Sequence, residues 1–286
     1  MNHKIVHLPS GLYFVATPIG TARDITLRAL DVLASADMIA AEDTRSLRKL
    51  MEIHGVPLNG RQIVAYHDHS GAGARTRLLA ALEEGQSVAY ASEAGMPLIA
   101  DPGYDLSRAA AEAGHLVTVA PGASAALAAL TLAGLPTDAF FFAGFLPNAS
   151  GARRKRLEEL TAVPGTLVFY ESPKRIAASL RDMAAVLGDR PAALCREITK
   201  KFEEVRRDSL LTLAEGLDQA PVKGEIVVLV DRARGVSVSD GDLDSDLRAA
   251  LKDNSVKDAA SIVAEMHNLP RRKIYQLALD MAKDAG

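Results

Sequence analysis

Short apolar stretches alternate with longer segments, in which apolar residues recur every three or four positions, from Leu12 to about Val230. The longer segments predict helices, such as Thr26–Ala34 and Thr44–Ile53, with Gly55 as a left-handed cap after the second. The short stretches predict the strands Leu12–Thr17, Asp37–Ala41, Gln62–Tyr66, Ser87–Ala91, Leu116–Val119, Phe140–Phe145, Thr166–Tyr170, Ala192–Arg196 and Glu225–Val230. This alternation predicts an α/β fold with largely parallel sheets.

The pattern restarts near Pro121–Gly122, where a predicted strand ends and an alanine-rich helix begins. We therefore predict two α/β lobes, over residues 1–120 and 121–232.

The character of the chain changes after Asp231. A stretch rich in Asp and Gly predicts a linker over 233–245, and a helical unit resembling a helix-turn-helix follows over 246–286. In that unit, Ser255 and Asp258 form a candidate capping box, and Pro270 suits the first turn of a further helix.

Composition excludes several classes of protein. The chain has 33 basic and 36 acidic residues and no Trp, so it lacks both the cation surplus and the aromatic platform of sequence-independent nucleic-acid binders. A single cysteine, Cys195, excludes an internal disulfide. The longest apolar stretch, Ala123–Leu135, is too short for a membrane span, and Met1–Ser10 lacks the apolar core of a signal peptide. We expect a cytoplasmic protein with no membrane partner, and composition favours a small-molecule enzyme.

Familiar phosphate and metal motifs are missing. There is no Gly-x4-Gly-Lys-Ser/Thr loop. His67 and His69 flank Asp68 but have no third-ligand pattern, so a polar loop is favoured over a metal site and no metal is expected.

Three distinctive loops follow predicted strands: Thr17–Gly20, Ser92–Gly103 and Pro121–Ser124. Ligands of open α/β sheets bind outside the carboxyl ends of the strands, and small residues such as Ala94 and Gly95 let a ligand approach the backbone closely. Shaping a turn is the alternative role, but the twelve-residue loop Ser92–Gly103 is long for that purpose.

An ordered set of short motifs carries a resemblance to a known family. The motifs are Ala16-Thr17-Pro18-Ile19-Gly20, Asp24–Leu30, Ala41-Glu42-Asp43-Thr44-Arg45, Ser92–Gly103, Gly144-Phe145-Leu146-Pro147, Phe169-Tyr170-Glu171-Ser172-Pro173 with Arg175, Arg196-Glu197-Ile198-Thr199-Lys200 with Glu203 and Glu204, and Lys223-Gly224-Glu225. Together they resemble the tetrapyrrole-methylase-type S-adenosylmethionine (SAM) methyltransferases. Within that superfamily, the chain is similar to the enzymes that methylate the ribose 2′-oxygen of a cytidine in the decoding region of 16S ribosomal RNA.

The resemblance implies two α/β lobes with SAM between them, a homodimer, and the small ribosomal subunit as substrate. It implies cofactor contacts at Pro18, Ala94, Gly95, Met96, Ile99, Ser124, Ala125, Tyr170 and Gly224. Glu93 and Met96 depart from the family pattern, which has Asp and Thr there, and Lys174 stands where the family has His. Backbone contacts to the cofactor would tolerate the first two changes, whereas a specific role for the Asp carboxylate would make position 93 matter.

A ribose hydroxyl is a poor nucleophile at neutral pH, so a nearby base or cation should assist it. Lys200 is our first candidate, followed by Glu197, Glu203 and Glu171, all near strand ends of the second lobe. Solvated surface charges are the alternative interpretation of these residues.

Contact with RNA requires local cations. The densest basic run, Arg153-Arg154-Lys155-Arg156, opens a predicted helix, and other cations lie beside the motifs or in the last helix. The candidate RNA contacts are Arg23, Arg45, Arg153, Arg154, Arg175, Arg271, Arg272 and Lys273.

Three functions remain open at this point. The first is a SAM-dependent ribose methyltransferase of ribosomal RNA, and the second is a tetrapyrrole C-methyltransferase acting on a small acidic macrocycle. The third is a non-catalytic binding module with a degenerate pocket, for which Glu93 and Met96 are the support.

Overall fold

The computed structural model describes residues 2–67, 72–233, 240–267 and 271–284. The chain forms two compact units, Met1–Arg232 and Ala233–Gly286. In the described part of the chain, none of the helices has both the length and the apolar character needed to cross a membrane.

The first unit begins with a five-stranded parallel sheet. Its strands are β1 (Gly11–Val15), β2 (Met38–Ala41), β3 (Ile63–Ala65), β4 (Ser87–Ala91) and β5 (Val117–Ala120), in the order β3-β2-β4-β1-β5. Its helices are α1 (Leu27–Ser35), α2 (Thr44–Ile53), α3 (Ala72–Glu83) and α4 (Tyr104–Glu112), with a short 3-10 helix at Ala22–Asp24. Strands β1 and β4 are buried along their whole length because helices cover both faces, which confirms the parallel sheet.

Capping residues in the sequence set where the helices on this sheet begin and end. The Thr26 side chain caps α1 by accepting from the Ala29 N–H at 3.1 Å. Asp43 caps α2 in the same way, and Gly55 takes the left-handed φ of 65° after it. Because such caps depend only on neighbouring residues, the sequence predicts these helices closely.

The second sheet of this unit has the order β6-β7-β10-β8-β9. Its strands are β6 (Phe140–Phe145), β7 (Thr166–Glu171), β8 (Pro191–Arg196), β9 (Glu204–Ser209) and β10 (Ile226–Val230), and its helices are α5 (Ala125–Ala133), α6 (Ser150–Glu158), α7 (Ile176–Leu187) and α8 (Leu210–Gln219). The expectation of largely parallel strands is wrong for this sheet, because only β6 and β7 run parallel. The short 197–203 connection between β8 and β9 allows a hairpin but not a parallel crossover.

The hydrophobic pattern of the sequence does not predict strand β9, because its residues, Glu-Val-Arg-Arg-Asp-Ser, are mostly charged. It lies at the edge of the sheet, where charged side chains reach solvent.

Both predicted lobes fall within the first compact unit, one sheet in each. The boundary at residues 120 and 121 lies between β5 and α5, and the separation into two lobes stays a prediction.

The second unit consists of α9 (Asp240–Asp253), α10 (Val256–Met266) and α11 (Arg271–Asp284). The sequence predicts a linker over 233–245, whereas α9 already begins at Asp240. Leu243 and Leu247, one helical turn apart, are buried in a core with Val263 and Ile274, and this burial outweighs the turn preference of the Asp and Gly residues. The Ser255 hydroxyl caps α10 through the Asp258 N–H at 3.2 Å, and Pro270 lies outside the described residues.

Candidate functional site

A cavity of about 480 Å³ lies where loops after β1, β4 and β5 meet the ends of the second-sheet strands. This volume is typical of small-molecule sites, and its place matches the carboxyl-end rule for α/β sheets. Its lining residues are Ile19, Glu93, Ala94, Gly95, Met96, Ile99, Ala100, Asp101, Ser124, Ala125, Phe145, Tyr170, Glu171, Ser172, Pro173, Cys195, Ile198, Gly224, Glu225, Ile226 and Val227.

The predicted cofactor residues meet at this cavity. Those that line it are Ala94, Gly95, Met96, Ile99, Ser124, Ala125, Tyr170 and Gly224. Pro18 is not among the lining residues, but its neighbour Ile19 is. The three loops that follow strands β1, β4 and β5 thus form one surface, as the strand-end rule predicts.

The loops are joined by a backbone bridge. The Thr17 N–H donates to the Gly95 carbonyl and the Gly95 N–H donates back to the Thr17 carbonyl, both at 3.0 Å. Gly95 has a φ of 85°, and a Cβ on it would come within 3.2 Å of Ile19 Cγ2. Glycine is therefore required here, because a side chain would strain the backbone and crowd Ile19.

The cavity wall is acidic, since Glu93, Asp101, Glu171 and Glu225 all line it. Burial raises the pKa of Glu93, and the nearby carboxylates of Glu42, Asp43 and Glu225 raise it further. The concentration of carboxylates favours a cationic ligand. Sequence reasoning identified Glu93 only as a departure from a pattern, and it missed the contribution of Asp101 and Glu225.

An aromatic group forms another part of the cavity wall. The Tyr170 ring makes edge-to-face contacts with Phe142 and Phe145, at centroid distances of 4.9 and 5.6 Å. Burial raises the pKa of the Tyr170 hydroxyl. Phe145 lines the cavity and is 58% exposed, so an aromatic face remains accessible at the rim.

Lys200 lies beside the cavity rather than in its lining. Its Nζ donates to Glu197 Oε1 at 3.1 Å and to Glu225 Oε2 at 2.8 Å. Burial alone would lower the pKa of Lys200, but the two carboxylates outweigh it and the pKa is raised. Lys200 is therefore protonated at neutral pH. Of the two roles considered above, it fits that of an assisting cation and not that of a base.

The other three candidate catalytic residues hold backbone or side-chain groups in place. Glu197 Oε1 accepts from the Glu225 N–H at 3.0 Å, and this bond is the main reason that the pKa of Glu197 is lowered. Glu203 Oε2 accepts from the Thr199 N–H at 2.6 Å. Neither Glu197 nor Glu203 is among the residues that line the cavity.

Glu171 does line the cavity, but the residue is 3% exposed and its carboxylate is already engaged. It accepts from the Ser172 N–H at 2.7 Å, from Ser179 Oγ at 2.7 Å and from the Arg175 guanidinium. These donors occupy both oxygens of the carboxylate, so its geometry suits a structural anchor better than a proton acceptor.

Comparisons with known proteins follow the same division of the chain. The tetrapyrrole (corrin/porphyrin) methylases match residues 11–214, and the RsmI C-terminal HTH domain matches residues 237–282. The chain is 47% identical to the ribosomal RNA small subunit methyltransferase I of Mesorhizobium japonicum, over 98% of this chain and 95% of that protein. It is 43% identical to the protein of the same name from Escherichia coli O157:H7, over 94% of both chains.

The chain belongs to the tetrapyrrole methylase family. Among solved structures it is similar to a diphthine synthase (17% identity, TM-score 0.60, covering 77% of this chain and 89% of that one). It is also similar to the uroporphyrin-III C-methyl transferase of Thermus thermophilus complexed with S-adenosyl homocysteine (20% identity, TM-score 0.53, covering 77% of this chain and 97% of that one). At these identities the two structures establish the fold of the methylase.

The first residue of the basic run on α6 of this methylase is buried and does not belong to a cationic surface. Arg153 is 3% exposed, and its Nε lies 2.8 Å from Asp182 Oδ2. The prediction that Arg153 contacts RNA is therefore wrong for this structure, because the guanidinium is enclosed with its counter-ion. Leu157, one turn further along α6, is also buried, so the spacing of the two residues was the available signal. Arg154 shares Asp182 at 2.6 Å but keeps about half of its side chain exposed.

The remaining candidate RNA contacts differ in accessibility. Arg175 is mostly buried and contacts Glu171 and Asn148. Arg23 and Arg45 are exposed. Arg271 and Arg272 are exposed in the first turn of α11, while the Lys273 side chain lies outside what the structure describes.

His69, one of the two histidines considered as metal ligands, also lies outside the described residues.

Proposed function

We propose that this chain transfers the methyl group of SAM to the ribose 2′-oxygen of a cytidine in 16S ribosomal RNA of the small ribosomal subunit. The observation that carries the proposal is full-length similarity to ribosomal RNA small subunit methyltransferase I, across the methylase unit and the C-terminal helices. The two solved structures described above each cover 77% of the chain, in keeping with the size of the first unit alone.

The residues of the cavity suit SAM. When bound, SAM supplies an electrophilic methyl group on a positively charged sulfonium. The carboxylates of Glu93, Asp101 and Glu225 favour that charge, and Gly95 and Gly224 leave the backbone bare where a Cβ would crowd neighbouring residues. Ser124 and Ala125 place the positive end of the α5 dipole at the cavity, where it favours a carboxylate group.

Methyl transfer to oxygen needs positioning and the removal of one proton. The ribose oxygen forms a bond to the methyl carbon while the carbon–sulfur bond breaks and its electron pair stays on sulfur. The hydroxyl proton passes to solvent or to a rim carboxylate. We assign the Lys200 cation, held beside the cavity by Glu197 and Glu225, to stabilising the negative charge that develops on the ribose oxygen.

The RNA side of the reaction is served by α2. Arg45, Arg48 and Lys49 are exposed on α2. Arg48 and Lys49 follow Arg45 by three and four residues, so the three lie on one side of the helix. The start of α2 adjoins the cavity loop, since Glu42 Oε2 accepts from the Glu93 N–H at 3.0 Å. We assign this α2 stripe (Arg45, Arg48, Lys49) to the phosphates of the RNA, together with Arg271 and Arg272 of α11.

We further propose that the methylase acts as a homodimer in the cytoplasm, where its ribosomal substrate is assembled. Phe140 and Phe141 on the edge strand β6 are 46% and 38% exposed, and an apolar edge of this kind is commonly covered by a second chain. Light scattering of the purified protein tests the dimer.

A tetrapyrrole substrate is the alternative activity. Its macrocycle carries several carboxylates, which the carboxylates of Glu93 and Asp101 in the cavity wall disfavour, whereas Glu171 and Glu225 are paired with Arg175 and Lys200.

The test uses small ribosomal subunits, uroporphyrinogen and labelled SAM with the intact protein. We expect label in 16S ribosomal RNA, at a linkage that survives alkali because its 2′-oxygen is blocked. Gly95→Arg should abolish SAM binding, measured by calorimetry. Gly85→Arg is the matched control, because Gly85 has a similar φ of 80° but open space around its Cβ position. Label in uroporphyrinogen alone, or in an alkali-sensitive nucleotide, contradicts the proposal.

A further inference from the structure

Left-handed backbone outside glycine is concentrated beside the cavity. Five non-glycine residues in the described ranges have positive φ, and four of them flank two isoleucines of the cavity wall. These are Leu98 (67°) and Ala100 (62°) around Ile99, and Glu197 (51°) and Thr199 (65°) around Ile198; the fifth is Asn59 (51°), in a turn that does not line the cavity.

A side chain with a Cβ is strained in this region of backbone space, and a β-branched residue such as Thr199 is strained most. Such residues persist only where the surrounding structure holds them, and they cluster at functional sites. Two strained turns that each enclose one cavity-lining isoleucine therefore call for a physical explanation.

The turn at 197–199 is fastened at several points. The Thr199 N–H donates to Glu203 Oε2 at 2.6 Å, and Thr199 Oγ1 accepts from the Thr21 N–H at 3.2 Å. A Cβ on Gly20 would lie 2.3 Å from Thr199 Oγ1, so the loop after β1 packs directly on this turn. Ile198, 7% exposed, is thereby held in the wall.

The turn at 98–100 is held from one side. Leu98 packs on the core of the first sheet that contains Tyr90 and Leu106. Ile99 and Ala100 are exposed and line the cavity. Leu98 thus acts as the anchor, and the left-handed backbone on both sides of Ile99 fixes the direction in which that side chain points.

We propose that these two turns are positioning devices, which hold Ile99 and Ile198 as preformed apolar walls for SAM. Ala100 and Thr199 are the positioning residues whose backbone sets the turns. The proposal rests on the proposed function, because its ligand is SAM. Because the wall is ordered before SAM binds, binding does not have to order a loop, and the affinity is higher for that reason. The strained backbone in turn lowers the stability of the folded protein.

Glycine at either position relieves the strain and frees the backbone, so the variants Ala100→Gly and Thr199→Gly test the proposal. We expect each to bind SAM and S-adenosyl homocysteine roughly tenfold more weakly by calorimetry, equivalent to about 1.4 kcal/mol. Ala100→Gly, which removes one exposed methyl group, should keep or raise the urea midpoint of unfolding. Amide hydrogen exchange of Ile99 should accelerate in the same variant, a change that loss of a contact alone would not produce.

Asn59→Gly is the matched control, since it relieves the same kind of backbone strain away from the cavity and should bind SAM like the wild type. Thr199→Ser keeps the hydroxyl that accepts from Thr21 and should recover most of the affinity lost in Thr199→Gly. Wild-type affinity in folded Ala100→Gly and Thr199→Gly overturns this inference alone. A wild-type protein that does not bind SAM overturns the proposed function, and the inference with it.

Discussion

The guanidinium of Arg153 is buried against the carboxylate of Asp182, 29 residues further along the chain. Burial alone would raise the pKa of Asp182, but hydrogen bonds from Arg154, Ser150 and Arg153 outweigh it and the pKa is lowered. The same guanidinium donates to the Asn148 carbonyl at 3.0 Å, so this ion pair fixes the loop that follows β6.

Arg153→Met is expected to lower the free energy of unfolding by about 1–3 kcal/mol, because it removes the buried partner of Asp182 and leaves that carboxylate with Ser150 and the half-exposed Arg154. Urea titration followed by circular dichroism measures this loss. Arg156→Met is the control, since Arg156 forms a more exposed pair with Glu159 at 2.6 Å that is worth less than about 1 kcal/mol. Equal losses in the two variants would contradict the structural role of Arg153.

The same pair gives a pH dependence. The folded pKa of Asp182 lies below the ordinary value of 3.8, so the unfolded chain takes up this proton first as the pH falls. The stabilisation is complete above pH 3.8 and declines as the pH falls towards the folded pKa. Asp182→Asn should therefore differ most from the wild type at neutral pH, with the gap narrowing in acid.

Lys200→Ala is expected to lower kcat roughly 100-fold with little change in SAM affinity, because the variant loses the cation that we propose stabilises the reacting oxygen. Lys200→Arg keeps the charge and should retain activity within about tenfold of the wild type. The raised pKa of Lys200 also means that kcat gains nothing from its deprotonation below pH 10.5. If Lys200→Arg is as inactive as Lys200→Ala, and the kcat of the wild type rises as the pH approaches 10.5, Lys200 acts as a base instead.

Glu93→Gln is expected to reduce the preference for SAM over S-adenosyl homocysteine by roughly two- to fivefold, since only SAM carries the sulfonium charge. Calorimetry with both ligands measures the ratio, and Glu112→Gln on α4 is an exposed control. Because folding raises the pKa of Glu93, the variant should be at least as stable as the wild type at pH 7. That gain should vanish below the ordinary value of 4.5. An unchanged ligand ratio would show that the Glu93 charge does not reach the cavity.

Alanine at all three positions of the α2 stripe is expected to weaken RNA binding and to make its salt dependence shallower, by about 0.7 in the logarithmic slope for each lost phosphate contact. SAM affinity should not change. Arg181→Ala is the control, because Arg181 on α7 is exposed but pairs with Asp218. If RNA affinity depends on salt equally in the triple variant and the wild type, α2 does not contact the RNA.

Arg271→Ala with Arg272→Ala is expected to weaken methylation of ribosomal subunits without weakening SAM binding. Cations in the first turn of a helix oppose its dipole by about 0.3–1 kcal/mol each, so their removal should not destabilise α11. Lys257→Ala, in the first turn of α10, is the matched control. Wild-type methylation by the double variant would assign these arginines a role outside RNA binding.

The sequence by itself determined the features that depend on neighbouring residues. The helix Thr44–Ile53 and its Gly55 cap agree with the prediction residue for residue, because caps and helical periodicity are local. The loops that line the cavity also followed from the sequence, since parallel strands end at one edge of a sheet.

The tertiary structure decided which charges are paired and which strands run antiparallel. Strand β9 exists because it pairs with β8, and its charged sequence alone does not predict it. Arg153 became a buried structural residue through Asp182, and Lys200 became a held cation through Glu225, which lies 25 residues away. A charged side chain carries no local sign of its partner, because its energy depends on burial and on groups that only folding brings within a few ångströms.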